Sequence, residues 1–302
     1  MKLKIVIAVF AVGAAIALGV LLNPSQSGSA ASSGFFAHLD PFWIRNEYWY
    51  DGKAELNFYD AQIVIYGTPR RTDKVVHILV SEDHVPSELV KANDWRRPGL
   101  LKVLKFNNMR TFQTGIYDYR QMMSVFFNLE DQHFAKMTFG SQEWCGSSFK
   151  EIVNFRGESS FDFNTYWEGQ GNGQFEVDFP RHLVLYDALP VQLRMLGWES
   201  GLETTLQLLP SQLSSRVKAP QVSQARLRIE KEEEVEVPAG SFAAYRVSVQ
   251  SDSGEDLFWF EKAFPHRMLM RQTAAGDLFE LRATKKLAYW GLNRPGDQAH
   301  LP

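Results

Sequence analysis

A chain of 302 residues, 45% hydrophobic and 22% charged, has the composition of a folded globular protein with a sizeable core. Its net charge of −3 supplies no basic field, which excludes nucleic acid as a natural partner. A single cysteine permits no internal disulfide, so stability has to come from packing.

In chain order, Lys2 and Lys4 precede an uncharged apolar run from Ile5 to Leu22, which predicts a signal peptide or membrane anchor over residues 1–22. A Ser/Gly/Ala-rich linker occupies 23–34. The positive end stays inside, so the remainder of the chain is expected on the periplasmic or extracytoplasmic side, touching the membrane through residues 5–22 if the leader is uncut. No cysteine comes after the run, which excludes lipoprotein processing.

Alternation then dominates. Ala61, Ile63 and Ile65 alternate with Gln62, Val64 and Tyr66, and Val75, His77 and Leu79 with Val76, Ile78 and Val80, with a break at Gly67-Thr68-Pro69. Apolar residues on both faces predict strands covered on both sides. A short helix is expected at Pro86–Asn93, and further strands from Leu101 to Trp167. Gly169–Gly173 lies between two strand-like segments and reads as a hairpin turn, not as a phosphate-cradling loop, which would open a helix. The clearest helix is "YDALPVQLRMLGWESG", where Asp187 can cap, Leu189, Leu193 and Leu196 share a face, and Gly197 can terminate. Beyond Leu202 the pattern predicts a hairpin turning at "PAGS" and three more strand segments, separated at Phe264-Pro265 and Ala275-Gly276, before a flexible tail over 291–302.

The fold class is therefore mainly β: a large curved antiparallel sheet, as a sandwich or open barrel, with one or two short helices and an N-terminal apolar helix. The exported part spans 35–290, as one sheet or as two sub-domains, 35–185 and 200–290.

Cys145, in "GSQEWCGSSFKE", is the sharpest chemical candidate. A catalytic thiol needs a base to form thiolate, and His133, His182 and His266 are the imidazoles that the fold could bring to it. The plainer reading makes Cys145 a small buried hydrophobe at a strand end beside Trp144, with Gly146 permitting the bend. "HILVSEDH" offers His77, Asp83 and His84, but an extended strand holds His77 and Asp83 about 20 Å apart. No histidine spacing suits a metal, and no cofactor motif occurs. Trp95-Arg96-Arg97 reads as a solvated loop. Trp144, Trp167, Phe163 and Trp259 belong to aromatic strands whose rings suit either a thick core or a concave ligand-binding face.

The segments "EVPAGSFAAYRVSVQ", "LFWFEKAFPHRMLMRQ" and "GDLFELRATKKLAYW" resemble a widespread periplasmic domain family of unknown function. The middle of the chain, with "SQEWCGSSFKE", is similar to uncharacterised bacterial exported β-rich proteins sharing a Glu-Trp-Cys-Gly motif. The resemblance implies fold and compartment, not activity. The expected function is a non-enzymatic envelope protein that binds a lipid, glycan or envelope partner through a curved sheet. The alternative is an envelope hydrolase or transferase using Cys145 with a histidine base.

Overall fold

The structure, a computed structural model, describes residues 34–302. The predicted leader and most of the linker lie outside the described residues. Among the described residues no helix is long and apolar enough to cross a membrane.

The first strands are β1 (Ala54–Ile65), β2 (Thr68–Val85), β3 (Val90–Lys91), β4 (Leu101–Thr114) and β5 (Tyr117–Asn128). Next come β6 (Phe134–Glu143), β7 (Gly146–Phe155), β8 (Glu158–Asn164), β9 (Asn172–Phe175) and β10 (Leu183–Leu185). An interior helical segment leads to β11 (Glu203–Leu209), β12 (Ser223–Val237), β13 (Gly240–Ser251), β14 (Gly254–Glu261), β15 (Met268–Gln272) and β16 (Leu278–Leu287). All 16 join one open sheet, in the order β10-β11-β12-β13-β14-β15-β16-β1-β2-β4-β5-β6-β7-β8-β9, with β3 on the flank of β2. Pairing is antiparallel except between β10 and β11. Strands from 35–185 and from 200–290 thus run in a single sheet, joined where β1 pairs with β16.

Short turns set the register. At Tyr66-Gly67 and Arg156-Gly157 both turn residues have positive φ, the geometry that matches the right-handed twist of two adjoining strands. The "PAGS" turn falls between Val237 and Gly240, as its residues predict. Residues 86–93 do not form the expected helix: Glu88 and Leu89 both bond back to the Val85 carbonyl, and Leu89, at φ 50°, takes the chain out of the helical region and into β3.

The interior is filled by the chain itself. A four-residue helix, α1 (Leu189–Gln192), sits between 3₁₀ turns at Tyr186–Ala188 and Leu193–Met195. Leu189, Leu193 and Leu196 pack with β11–β16, while Ala188, Val191 and Met195 pack with β4–β8. One segment therefore serves two apolar faces, as burial between two layers requires, with Asp187, Gln192 and Arg194 buried beside them. Strand β10 does the same with period two: Val184 faces the first cluster, Leu183 and Leu185 the second. The sheet folds over this insert, and its concave side holds side chains where an acyl chain was one expectation.

The outer face of β1 and β2 is also covered. Leu56, Phe58, Ile78 and Val80 pack under Ala283, Leu287 and Tyr289, which accounts for the two-sided apolar pattern there. Residues 291–302, expected to be a flexible tail, carry a further 3₁₀ turn at Asp297–His300, held by Lys285 Nζ donating to the His300 carbonyl at 2.5 Å.

Candidate functional site

Antiparallel strands have two ends, and the turns decide which residues share one. Cys145 occupies the two-residue turn between β6 and β7, with Glu143 paired to Gly146. His133 precedes β6 at its other end, so the length of β6 separates thiol and imidazole by more than about 30 Å. His266 lies in the β14–β15 connection, also at the end away from Cys145. None of the three histidines is placed to serve the thiol.

Cys145 is exposed, which corrects the expectation of a buried thiol. The turn projects it outwards, and the motif around it ties the hairpin to the β8–β9 loop. The Tyr166 ring packs so closely on Gly146 that a Cβ there would lie 2.7 Å from it, and Tyr166 Oη donates to Glu143 at 3.4 Å. Glycine is required by this approach. The native protein is therefore expected to react with one equivalent of a chromogenic aromatic disulfide without denaturant; a thiol that reacts only in urea would contradict this placement.

Two of the candidate histidines do meet. His133 Nε2 and His182 Nδ1 are 3.0 Å apart, Phe36 stacks on His133 at 4.2 Å, and Asp131 stands 3.5 Å from His133 Nδ1. Burial, with help from His133 and Arg181, moves the His182 pKa below its usual value. His133 borders a polar cavity of about 430 Å³ that also holds Ser159, but that hydroxyl is committed to Asn154 and to the Phe179 N–H. No nucleophile completes the arrangement. Among the described residues no group of three or more His, Cys, Asp or Glu could hold a metal ion.

Of the four aromatic residues proposed for ligand binding, Trp144, Trp167 and Phe163 come from the β6–β9 hairpins and Trp259 from β14. Trp144 is exposed on the β6–β7 turn, and Trp167 in the β8–β9 loop lies under the Arg216 guanidinium at 3.7 Å. Phe163 packs against Phe175, and Trp259 is buried in β14, donating to Glu233 at 2.8 Å. The buried Trp259 is therefore not part of a surface shared with the exposed Trp144.

A different set of aromatic residues borders one groove. The 3₁₀ turn at Glu47–Trp49 delivers Tyr50, the 92–100 loop delivers Trp95, and the 3₁₀ turn after β16 delivers Trp290. These rings, 46%, 63% and 52% exposed, border a groove of about 480 Å³ over the ends of β2 and β4. Between them lie Lys53, Ser81, Glu82, Asp83 and Lys102. Lys102 Nζ is 3.0 Å from Asp83, and Glu82 takes Lys105 at 2.6 Å and His84 at 3.3 Å. Burial alone would raise the Glu82 pKa; the hydrogen bonds from His84 and Lys105 and the lysine charges outweigh it and bring it down to about 2. Two carboxylates and two ammonium groups line the groove, and Lys91 and Lys105 pair with Glu82 from beside it. The buried Ser81 hydroxyl makes no hydrogen bond within the chain.

No protein-family model matches the chain, and no curated protein matches it. Among solved structures, a DUF1089 family protein from Pseudomonas aeruginosa is similar at 12% identity, over 60% of this chain and 93% of that one, with a TM-score of 0.32. A likeness of that size fixes neither fold nor function.

Proposed function

We propose that the protein is a non-enzymatic envelope protein that binds a neutral glycan in the groove bordered by Tyr50, Trp95 and Trp290. The observation that carries the reading is three exposed aromatic rings around hydrogen-bonding carboxylates and lysines. Rings offer flat apolar faces to sugar C–H groups, while carboxylates and lysines meet hydroxyls. Both carboxylates already sit in ion pairs with lysines, so a cationic ligand would gain little from them. An acyl chain would need apolar room, and the chain's own side chains take up the interior. The envelope location rests on Lys2, Lys4 and the apolar run from Ile5 to Leu22.

Titrating the purified protein with neutral envelope oligosaccharides, monitored by calorimetry and tryptophan emission, is expected to give saturable 1:1 binding. Trp95→Ala and Trp290→Ala each weaken it about five- to twentyfold. Binding unchanged in both variants, or no saturable binding at millimolar sugar, would overturn the assignment.

A further inference from the structure

A second polar cavity, of about 50 Å³, lies inside the fold, where β2, β4 and β15 face the Tyr186–Pro190 segment and the 211–213 strap. Its polar walls include His77, Asn108, Arg110, Asp187 and Arg271. Arg110 and Arg271 are both more than nine-tenths buried, at 8% and 7% exposure.

The charges are not evenly partnered. Arg271 Nη2 reaches Asp256 at 2.8 Å, and that carboxylate also accepts from Tyr186 Oη at 2.6 Å and the Ala274 N–H at 3.0 Å. Asp187 is occupied by Ser211 Oγ and the Gln212 N–H, both at 2.6 Å, and Asp277 by the Val64 N–H at 2.7 Å. Arg110, in contrast, donates only to neutral oxygens, Gln121 Oε1 at 2.6 Å and the Leu213 carbonyl at 3.0 Å. A buried guanidinium without a contacting anion is costly.

Other groups at the cavity are unspent. Arg271 Nε, a donor, makes no hydrogen bond among the described residues. The His77 ring, held beside Tyr59 at 4.7 Å and Phe106 at 5.1 Å, bonds to no described residue. One water takes about 10–15 Å³ on this measure of volume, so the space suits three to five heavy atoms.

We propose that this cavity binds a small free oxyanion, a one- or two-carbon carboxylate or inorganic phosphate, with Arg110 as counter-charge and Arg271, Asn108 and His77 fixing its orientation. Asp187 and Asp277 attract Arg110 through space, but neither hydrogen-bonds to it, and burial still brings its pKa down. The size limit excludes a larger ligand that carries the same anionic group, and the site is independent of the groove.

The test is thermal unfolding of the full chain, freed of oxyanions by dialysis, with phosphate, acetate or formate added at constant ionic strength made up with chloride. At least one of them is expected to raise the melting temperature saturably, with calorimetry giving one site. At a hundredfold excess over Kd the folding equilibrium constant rises about a hundredfold. Arg110→Gln abolishes the response. Asn108→Asp, nearly the same size, places a carboxylate beside Arg110 and abolishes the response while the protein stays folded, so the test survives if Arg110→Gln does not fold. No saturable shift with any of the three anions, or an equal shift in Asn108→Asp, would overturn the proposal.

Discussion

Arg194→Met is expected to lower stability by about 3–5 kcal/mol, the cost of leaving a buried charge without its partner. Arg194 and Glu55 are 1% and 0% exposed. Their contact is bidentate, Nη1 to Oε1 at 2.8 Å and Nη2 to Oε2 at 3.1 Å, and Arg194 Nε donates to the Pro265 carbonyl at 3.0 Å. Asn57 Nδ2 and Tyr48 Oη donate to the same carboxylate at 2.7 and 2.8 Å, while Trp43 and Trp49 flank the guanidinium at 5.3 and 5.5 Å. Burial pushes the Glu55 pKa up, but the Arg194 charge and the three hydrogen-bonding neighbours together hold it below the ordinary carboxylate value. The pair fastens the interior helical segment to the start of β1, so removing one member loosens insert and sheet together. Removing both differs in kind, because no unpaired charge remains: Glu55→Gln with Arg194→Met should recover more than half of the loss. Urea midpoints with unchanged m-values measure this; a single variant within about 1 kcal/mol of the parent would show that the pair does not hold the fold.

Strands and turns were legible because their signals are local. Alternation marked β1 and β2, and "PAGS" and Gly169–Gly173 marked turns where turns occur. The helix over Asp187–Gly197 was legible on one face only: Leu189, Leu193 and Leu196 stood out, whereas the second face of Ala188, Val191 and Met195 acquires meaning only once a second half of the sheet is known to lie against it. The pairing of β1 with β16 joins residues more than two hundred positions apart, and no alternation pattern specifies a partner at that range. The groove was illegible for the same reason. Tyr50, Trp95 and Trp290 come from three separate connections, and the one local sign was a large ring in a polar loop at Trp95-Arg96-Arg97. For Cys145 the alternation places the strand end correctly, but Trp144-Cys145 lacks the Gly, Asn or Asp that announces a two-residue turn, so the local pattern points to a buried thiol where the turn exposes one.

Acid sensitivity should be the second large effect, and His77 its largest single source between pH 6.5 and 4.5. Burial first, then the Arg271 and Arg194 charges, brings the His77 pKa down to about 3, against about 6.5 in an unfolded chain. Above pH 6.5 the ring is neutral in both states and contributes nothing to the pH dependence. Between 6.5 and 3 the unfolded chain takes up a proton that the folded one refuses, so stability falls by up to about 1.4 kcal/mol per pH unit. Glu82 acts in the same direction over a lower window: its folded value of about 2 gives stability that is present above the ordinary carboxylate pKa and is lost as pH falls towards 2. His77→Gln keeps a neutral polar group at every pH. Whatever it costs at pH 7, it should lose about 2 kcal/mol less than the parent between pH 7 and 5, as read from urea midpoints at each pH. Parallel curves for the two proteins would mean that His77 takes up its proton in the folded state. Burial also lowers the pKa values of His182 and His266, so the variant retains some slope, and the difference between the two slopes is the part that belongs to His77.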